Sequence, residues 1–206
     1  MKTEPEADAA QAPAELPATS RAVLGILSFG EELSGYDVKR WAEQSLAFYY
    51  WAPSQSQIYS ELRRLEDHGL VESRVEQTHA AKSRRLYSIT GVGRRRMREW
   101  IDGQAPDPVV LKQSMVLRLW AGHNGEAERL AEQWADYADQ SRDTAARAAA
   151  HALSAEKVPA WRFPALALEW AEKYYRDEAA RAEWVLERLA ELEAAERDGG
   201  GAAAER

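Results

Sequence analysis

Between residues 20 and 102 the spacing of apolar residues changes twice, from a helical period to an alternating one and back. Three helical segments come first, starting after Ser20, Ser34 and Pro53. Two short runs rich in β-forming residues follow, LVESRVE and RRLYSI, and the polar stretch QTHAAKS joins them as a long hairpin loop. Thr90 then caps a fourth helix, which carries Met97, Trp100 and Ile101 inward. Three helices, a hairpin and a further helix are the element order of a winged helix-turn-helix, with the hairpin as the wing.

The third helix of such a domain reads the major groove, and its apolar pattern orients it. Ile58, Leu62 and Leu65 recur four and three residues apart and form a stripe that faces the core. Its start has two interpretations. Either Pro53 is the first helical residue, or Ser54 and Gln57 form a capping box.

Placing that stripe inward turns a set of short hydrogen-bonding side chains and one guanidinium outward, a composition suited to base edges and phosphates. The competing interpretation is an ordinary solvated face, although that would more often carry Glu and Lys pairs. The wing adds a cluster of cations, whereas the arginines at 94–96 and 98 fit a solvated helix face. We therefore predict DNA contacts from Ser54, Ser56, Gln57, Tyr59, Ser60 and Arg63 in the third helix, and from Lys82, Arg84 and Arg85 in the wing.

The charge distribution agrees with this interpretation although the chain carries a net charge of −7. Residues 1–19, 20–119 and 120–206 carry −3, +3 and −7, and residues 53–99 hold ten Lys or Arg against six acids. Phosphates respond to the field within about 10 Å rather than to the sum over the chain. The sequence therefore predicts a basic module joined to an acidic one.

Three motifs resemble the PadR-like transcriptional regulators in order and spacing: SGYDVKRW, PSQSQIYSELRRLEDHGLV and KSRRLYSITGVGRRRMREWI. The resemblance covers roughly residues 20–102. It implies a homodimer that binds double-stranded DNA at a palindromic operator and represses transcription. The wing departs from the family's Gly-Arg-x-Arg pattern, because the stretch from Lys82 to Arg85 lacks the glycine. That departure leaves the conformation of the wing tip open.

The composition of residues 103–108, GQAPDP, is that of a linker, and three helices are expected after it, near 109–121, 125–153 and 162–193. Two of them carry stripes longer than we expect one chain to bury, so we predict a dimerisation domain over 109–194. The stripes are Ala127, Leu130, Trp134, Tyr137, Ser141, Thr144, Ala148 and His151, and then Ala171, Tyr175, Glu178, Ala182, Val185, Leu189 and Leu192. Residues 1–19 and 195–206 have the composition of disordered tails. The expected fold is mostly α with one small β-hairpin.

Eight tryptophans suggest a site for a small aromatic or hydrophobic effector, with Tyr50, Trp51, Trp100 and Trp134 as candidates, although packing is the commoner role of such residues. The resemblance points the same way, since the family sometimes holds flat effectors with aromatic residues.

Catalytic and metal-binding patterns are lacking, so neither an enzyme nor a cofactor is expected. The chain has no cysteine, and its one E-x-x-H match, Glu76 with His79, falls at the wing loop. With no apolar run of 18 residues and no signal-peptide pattern, the expected location is the cytoplasm. The alternative function is a winged-helix module that binds proteins and does not read DNA.

Overall fold

The computed structural model describes residues 16–77, 83–103, 105, 108 and 110–203, with side chains as far as residue 195. Contacts divide the chain into two compact units. One comprises the chain up to Trp41 together with Pro53–Gln104, and the other comprises Ala42–Ala52 together with Ala105–Arg206. The predicted domain 20–102 therefore gives up one internal segment, residues 42–52, to the helical half. Among the described residues, no helix is both long and apolar enough to cross a membrane.

The first unit has the predicted order of helices and strands. Its elements are α1 (Ala18–Leu27), β1 (Leu33–Ser34), α2 (Gly35–Gln44), α3 (Gln55–Asp67), β2 (Val71–Gln77), β3 (Ser83–Ile89) and α4 (Gly91–Gly103). The short β1 was not expected. It adds an antiparallel third strand to the hairpin, giving the order β1-β3-β2. The fold prediction, mostly α with a small β-hairpin, is confirmed.

The predicted starts of α1 and α2 have different outcomes: the first is wrong and the second is observed. Ser20 was expected to cap α1, but α1 begins at Ala18, and Ser20 is a buried helical residue whose hydroxyl donates to the Glu61 carboxylate. Ser34 does mark α2, because the amide of Asp37 donates to its Oγ at 3.2 Å and Asp37 accepts from the Ser34 amide at 3.2 Å. Of the predicted tail 1–19, residues 1–15 lie outside the described part.

Helix α4 starts as predicted but buries less than predicted. The amide of Gly93 donates to Thr90 Oγ1 at 3.1 Å, which is the expected cap. Met97 is buried, whereas Trp100 and Ile101 are exposed, so the inward placement of these two residues was wrong. The guanidinium of Arg21 lies over the ring of Trp100, 5.3 Å from the ring centroid.

Gly93 is required by a close approach to the β2 end of the sheet, which yields a first prediction. A Cβ at this position would lie 2.2 Å from the carbonyl oxygen of Leu70, and backbone cannot yield cheaply. Gly93→Ala should lower the free energy of unfolding by about 1–3 kcal/mol, the range for overpacked sites. Urea denaturation measures it. Gly91→Ala is the control, because its nearest neighbour is a side-chain nitrogen of Arg95 at 3.9 Å. Equal midpoints for the two variants would contradict the prediction.

In the second unit, three helices follow the linker, with bounds that differ from the predicted ones. They are α5 (Ser114–Trp120), α6 (Ala127–Ala155) and α7 (Arg162–Ala203). Helix α5 starts later than residue 109 because Gln113 is a non-helical cap whose side-chain oxygen accepts from the Met115 amide at 3.1 Å. Helix α7 passes residue 193 and includes 195–203, predicted as a tail, because residues 189–197 are all Leu, Ala, Glu and Arg, which are strong helix formers.

Helices α6 and α7 form an antiparallel hairpin in which each covers the stripe of the other. Most of both stripes is buried or half-buried, including Trp134, Ser141 and Ala148 of α6. On α7 the exception is Leu192, which is exposed. Our reason for expecting a dimer, that one chain could not bury both stripes, was therefore wrong. The pairing of two long stripes within one chain is a non-local contact that spacing does not reveal.

A polar cluster inside this hairpin holds the start of α5. The carboxylate of Glu178, on the buried face of α7, accepts from the Tyr137 hydroxyl at 2.7 Å, from Gln113 Nε2 at 3.2 Å and from an Arg181 nitrogen at 2.6 Å. Burial first, and then the hydrogen bond to Glu178, raises the pKa of Tyr137 to about 12, so this hydroxyl remains a donor. The cluster therefore satisfies a buried carboxylate with three donors.

Candidate DNA-binding surface

The start of α3 is fixed by a capping box, which decides between the two interpretations of the sequence. Ser54 is the N-cap: its amide donates to Gln57 Oε1 at 2.8 Å, and the Gln57 amide donates to Ser54 Oγ at 3.3 Å. Pro53 lies before the helix and is buried. The cap uses the side-chain oxygen of Gln57 and leaves the side-chain nitrogen, Nε2, to donate to a base or phosphate. Gln57 thus has a folding role as well as its predicted binding role.

The face of α3 opposite its core stripe is polar and exposed. Ile58, Leu62 and Leu65 are fully buried, and the outward set comprises Ser56, Gln57, Ser60, Arg63 and Arg64. Arg64 was not among the predicted contacts, although its position one turn after Ser60 was a sufficient signal. Exposed hydroxyls, an amide and two guanidinium groups on one helix face provide donors for base edges and phosphates.

Tyr59 is seated against the start of α2, which narrows its predicted role. A Cβ at Gly35 would lie 2.5 Å from Tyr59 Cε1, so the ring needs the space that only glycine leaves. Gln55 Nε2 also donates to the Gly35 carbonyl at 3.2 Å. These contacts set α3 against α2. Tyr59 remains 42% exposed, so its hydroxyl is the part left to contact a ligand.

The two wing arginines that were predicted to contact DNA, Arg84 and Arg85, point to opposite faces of the hairpin. In the β2–β3 register Arg84 pairs with Glu76 and Arg85 with Val75, and neighbouring strand residues alternate between faces. Arg84 Nε donates to Glu76 Oε2 at 2.6 Å. Arg85 shares its face with Ser73 and lies 3.7 Å from a carboxylate oxygen of Glu66, which belongs to α3. Of the two, Arg85 adjoins the recognition helix. Lys82 lies outside the described residues.

On the face of the hairpin that carries Arg84, acidic side chains lie beside the arginines. Arg74 Nε donates to Glu32 Oε1 at 2.8 Å, and its guanidinium lies 3.5 Å from Glu76. The hydrogen bond from Arg84 holds the pKa of Glu76 below its usual value, and that from Arg74 does the same for Glu32. Both carboxylates therefore stay ionised at neutral pH and offset the arginines beside them. The positive field of the wing is weaker than its sequence suggests.

The other residues considered from the sequence are the arginines of α4 and the E-x-x-H match. Arg94 donates to the Ser28 carbonyl at 3.1 Å and Arg96 pairs with Glu99, in keeping with a non-DNA role. Over the described ranges, no group of side chains is arranged to hold a metal ion. His79 of the E-x-x-H match lies outside those ranges, and Glu76 is engaged by arginines.

The four aromatic effector candidates have different surroundings. Trp134 is 3% exposed in the core between α6 and α7, edge-to-face with Tyr137. Tyr50 and Trp51 are exposed residues of the segment that groups with the helical unit, and Trp100 is an exposed residue of the other unit. An effector site at these residues stays a prediction.

Three packed helices, a two-stranded wing and a polar recognition face place the first unit in the winged helix-turn-helix class. Residues 23–99 match the family described as "Transcriptional regulator PadR-like family". The first unit is therefore similar to the PadR-like family of transcriptional regulators.

A curated relative and two solved structures are also similar to this chain. The chain is 31% identical over 99 residues to the negative transcriptional regulator PadR of Bacillus subtilis, an alignment that spans 48% of this chain and 53% of that protein. The fold is similar to Bacillus subtilis PadR in complex with operator DNA, with a TM-score of 0.70, 22% identity and coverage of 82% and 98%. It is also similar to the same protein in complex with p-coumaric acid, with a TM-score of 0.65, 23% identity and coverage of 83% and 98%. The chain thus spans about half the length of the curated relative it matches.

Proposed function

We propose that this chain is a transcriptional repressor that binds a palindromic operator as a homodimer and is released by a small aromatic or hydrophobic effector. The observation that carries DNA binding is the exposed polar face of α3 with Arg85 of the wing beside it. The similar Bacillus subtilis protein is described as a negative regulator and was solved with operator DNA and with p-coumaric acid, which supports repression and an aromatic effector.

A second copy of the chain is supported by an apolar face that the helical hairpin leaves open. Along α7 a stripe separate from the buried one carries large exposed side chains, which are three or four residues apart from Phe163 to Tyr174, and α5 carries more. They are Phe163, Leu166, Trp170, Tyr174 and Trp184 on α7, and Val116, Leu117 and Trp120 on α5. Two identical apolar faces cover one another in a symmetric dimer, and a two-fold dimer binds two half-sites of a palindrome.

The test of the proposed function is selection of bound sequences from random duplex DNA with the full chain. We expect enrichment of one inverted repeat, with half-sites about one helical turn apart. A reporter gene carrying that site should be silenced by the protein, and phenolic acids should raise its melting temperature and relieve silencing. Selection without an enriched sequence contradicts DNA reading and favours the protein-binding module.

Arg84 and Arg85 provide a prediction about the wing. Removing one cation that binds a phosphate should flatten the slope of log affinity against log salt concentration by about 0.9 per subunit, hence about 1.8 for the dimer. We expect this from Arg85→Ala, because Arg85 adjoins α3, and a smaller change from Arg84→Ala, because Glu76 holds its guanidinium on the other face. Fluorescence anisotropy with a random duplex at several salt concentrations measures both slopes. Equal slopes for the two variants would show that the face of the hairpin on which an arginine lies does not decide whether it binds DNA.

A further inference from the structure

The segment Ala42–Ala52, which comprises the end of α2 and most of its connection to the recognition helix, groups with the helical unit. We call it the strap. The chain leaves the first unit at Ala42, makes a 3₁₀ turn at Leu46–Phe48, and returns at Pro53, immediately before α3. A connection of this length needs no such anchor to join two helices.

Phe48 is the anchor of the strap. Its side chain is 8% exposed and lies between α6 and α7 in a socket lined almost entirely by small residues, which leave room for an aromatic ring. The socket residues are Ala148, Ala152 and Ala155 of α6, and Ala165, Leu168 and Ala171 of α7. The ring also lies 5.5 Å from that of His151 and 5.9 Å from the guanidinium carbon of Arg147. Tyr49 and Trp161 pack against the same cluster.

The connection from Phe48 to α3 is short and stiff. Four residues separate Phe48 from Pro53, whose ring fixes its own φ and restricts the backbone of Ala52. Pro53 is buried, and the next residue, Ser54, is the N-cap of α3. A displacement of the strap therefore reaches the first turn of the recognition helix and is not absorbed by a flexible loop.

We propose that Phe48 is a positioning residue: by seating in the alanine socket of the α6–α7 hairpin it holds the first turn of α3 in the geometry that reads DNA. This rests on the proposed function, since it is the reading of DNA that Phe48 serves. It makes the helical unit part of the recognition apparatus. A change in that hairpin is thereby conveyed to α3 through the backbone.

Hydrogen exchange of the full-length protein without DNA tests the anchor directly. In Phe48→Ala we expect the amides of Gln57 and Ile58, which donate to Ser54, to exchange about tenfold faster or more, because the anchored end opens locally. The amides of β2 and β3 should keep their rates. Gln44→Ala is the matched control, since it truncates an exposed side chain of the same strap and should change neither.

Operator affinity of the same variants gives the functional readout. We expect Phe48→Ala to lose at least tenfold in operator affinity, and Phe48→Leu, which still fills the socket, to restore most of it. Wild-type exchange at Gln57 and Ile58, or acceleration spread equally over β2 and β3, overturns the anchor. If Phe48→Ala does not fold, Phe48→Val, which fills less of the socket, decides: wild-type exchange in the first turn of α3 overturns the proposal. Failure of the wild-type protein to select an operator refutes the proposed function and leaves the exchange result standing.

Discussion

Replacing Trp170 and Trp184 together with glutamate should convert the proposed dimer into a folded monomer and lower affinity for the proposed palindromic operator by about 10²- to 10⁴-fold. Both indoles are more than half exposed in the isolated chain, on the stripe of α7 that does not face α6. In the dimer they would be covered, and a carboxylate there would be buried without a partner. The buried stripes of the hairpin are untouched, so the circular dichroism spectrum should remain helical.

Sedimentation and two duplexes separate loss of pairing from loss of DNA binding. Affinity for a single half-site should change little, because each monomer retains α3 and the wing. Ala190→Glu is the matched control, since it places the same charge on an exposed position of α7 that is not one turn away from a residue of either stripe. A double variant that still sediments as a dimer at micromolar concentration would move the interface elsewhere.

Gln57→Glu should lose specificity while keeping α3 capped. A glutamate at this position retains the acceptor that the Ser54 amide uses, but it removes the donor that the capping box leaves over. We expect operator affinity to fall by about 1–3 kcal/mol more than affinity for random DNA, the range for discrimination by a side chain that bonds a base edge. The added negative charge weakens both duplexes, so the ratio of the two affinities at one salt concentration is the measured quantity.

Two further variants separate the loss of a base contact from other causes of weaker binding. Tyr59→Phe removes only the hydroxyl and leaves the ring against Gly35, so any loss of specificity comes from a contact to DNA and not from misplacement of α3. Arg63→Ala should weaken operator and random duplexes alike, because we expect Arg63, about two turns after the helix start, to contact the phosphate backbone. An unchanged affinity ratio in both Gln57→Glu and Tyr59→Phe would show that α3 holds DNA without reading it.

Local patterns determined the elements of the winged-helix unit. The stripe of Ile58, Leu62 and Leu65 follows from the helical period, and its burial is complete. The cap of α3 was narrowed to two alternatives, since both depend on neighbouring residues. The hairpin and its Thr90-capped helix were likewise readable, because turns, caps and periodicity depend on residues a few positions apart.

Only the tertiary structure decided which surfaces meet. The stripes of α6 and α7 predicted burial but not the partner, and they cover each other rather than a second chain. Trp100 and Ile101 follow the buried Met97 by three and four positions, which is helical spacing, and are nonetheless exposed. Phe48 lies in an aromatic run whose packing partners cannot be read from the sequence. Its socket is built mainly from alanines more than 90 residues away. Spacing along the chain fixes the direction in which a side chain points, whereas contacts between distant segments fix what it touches.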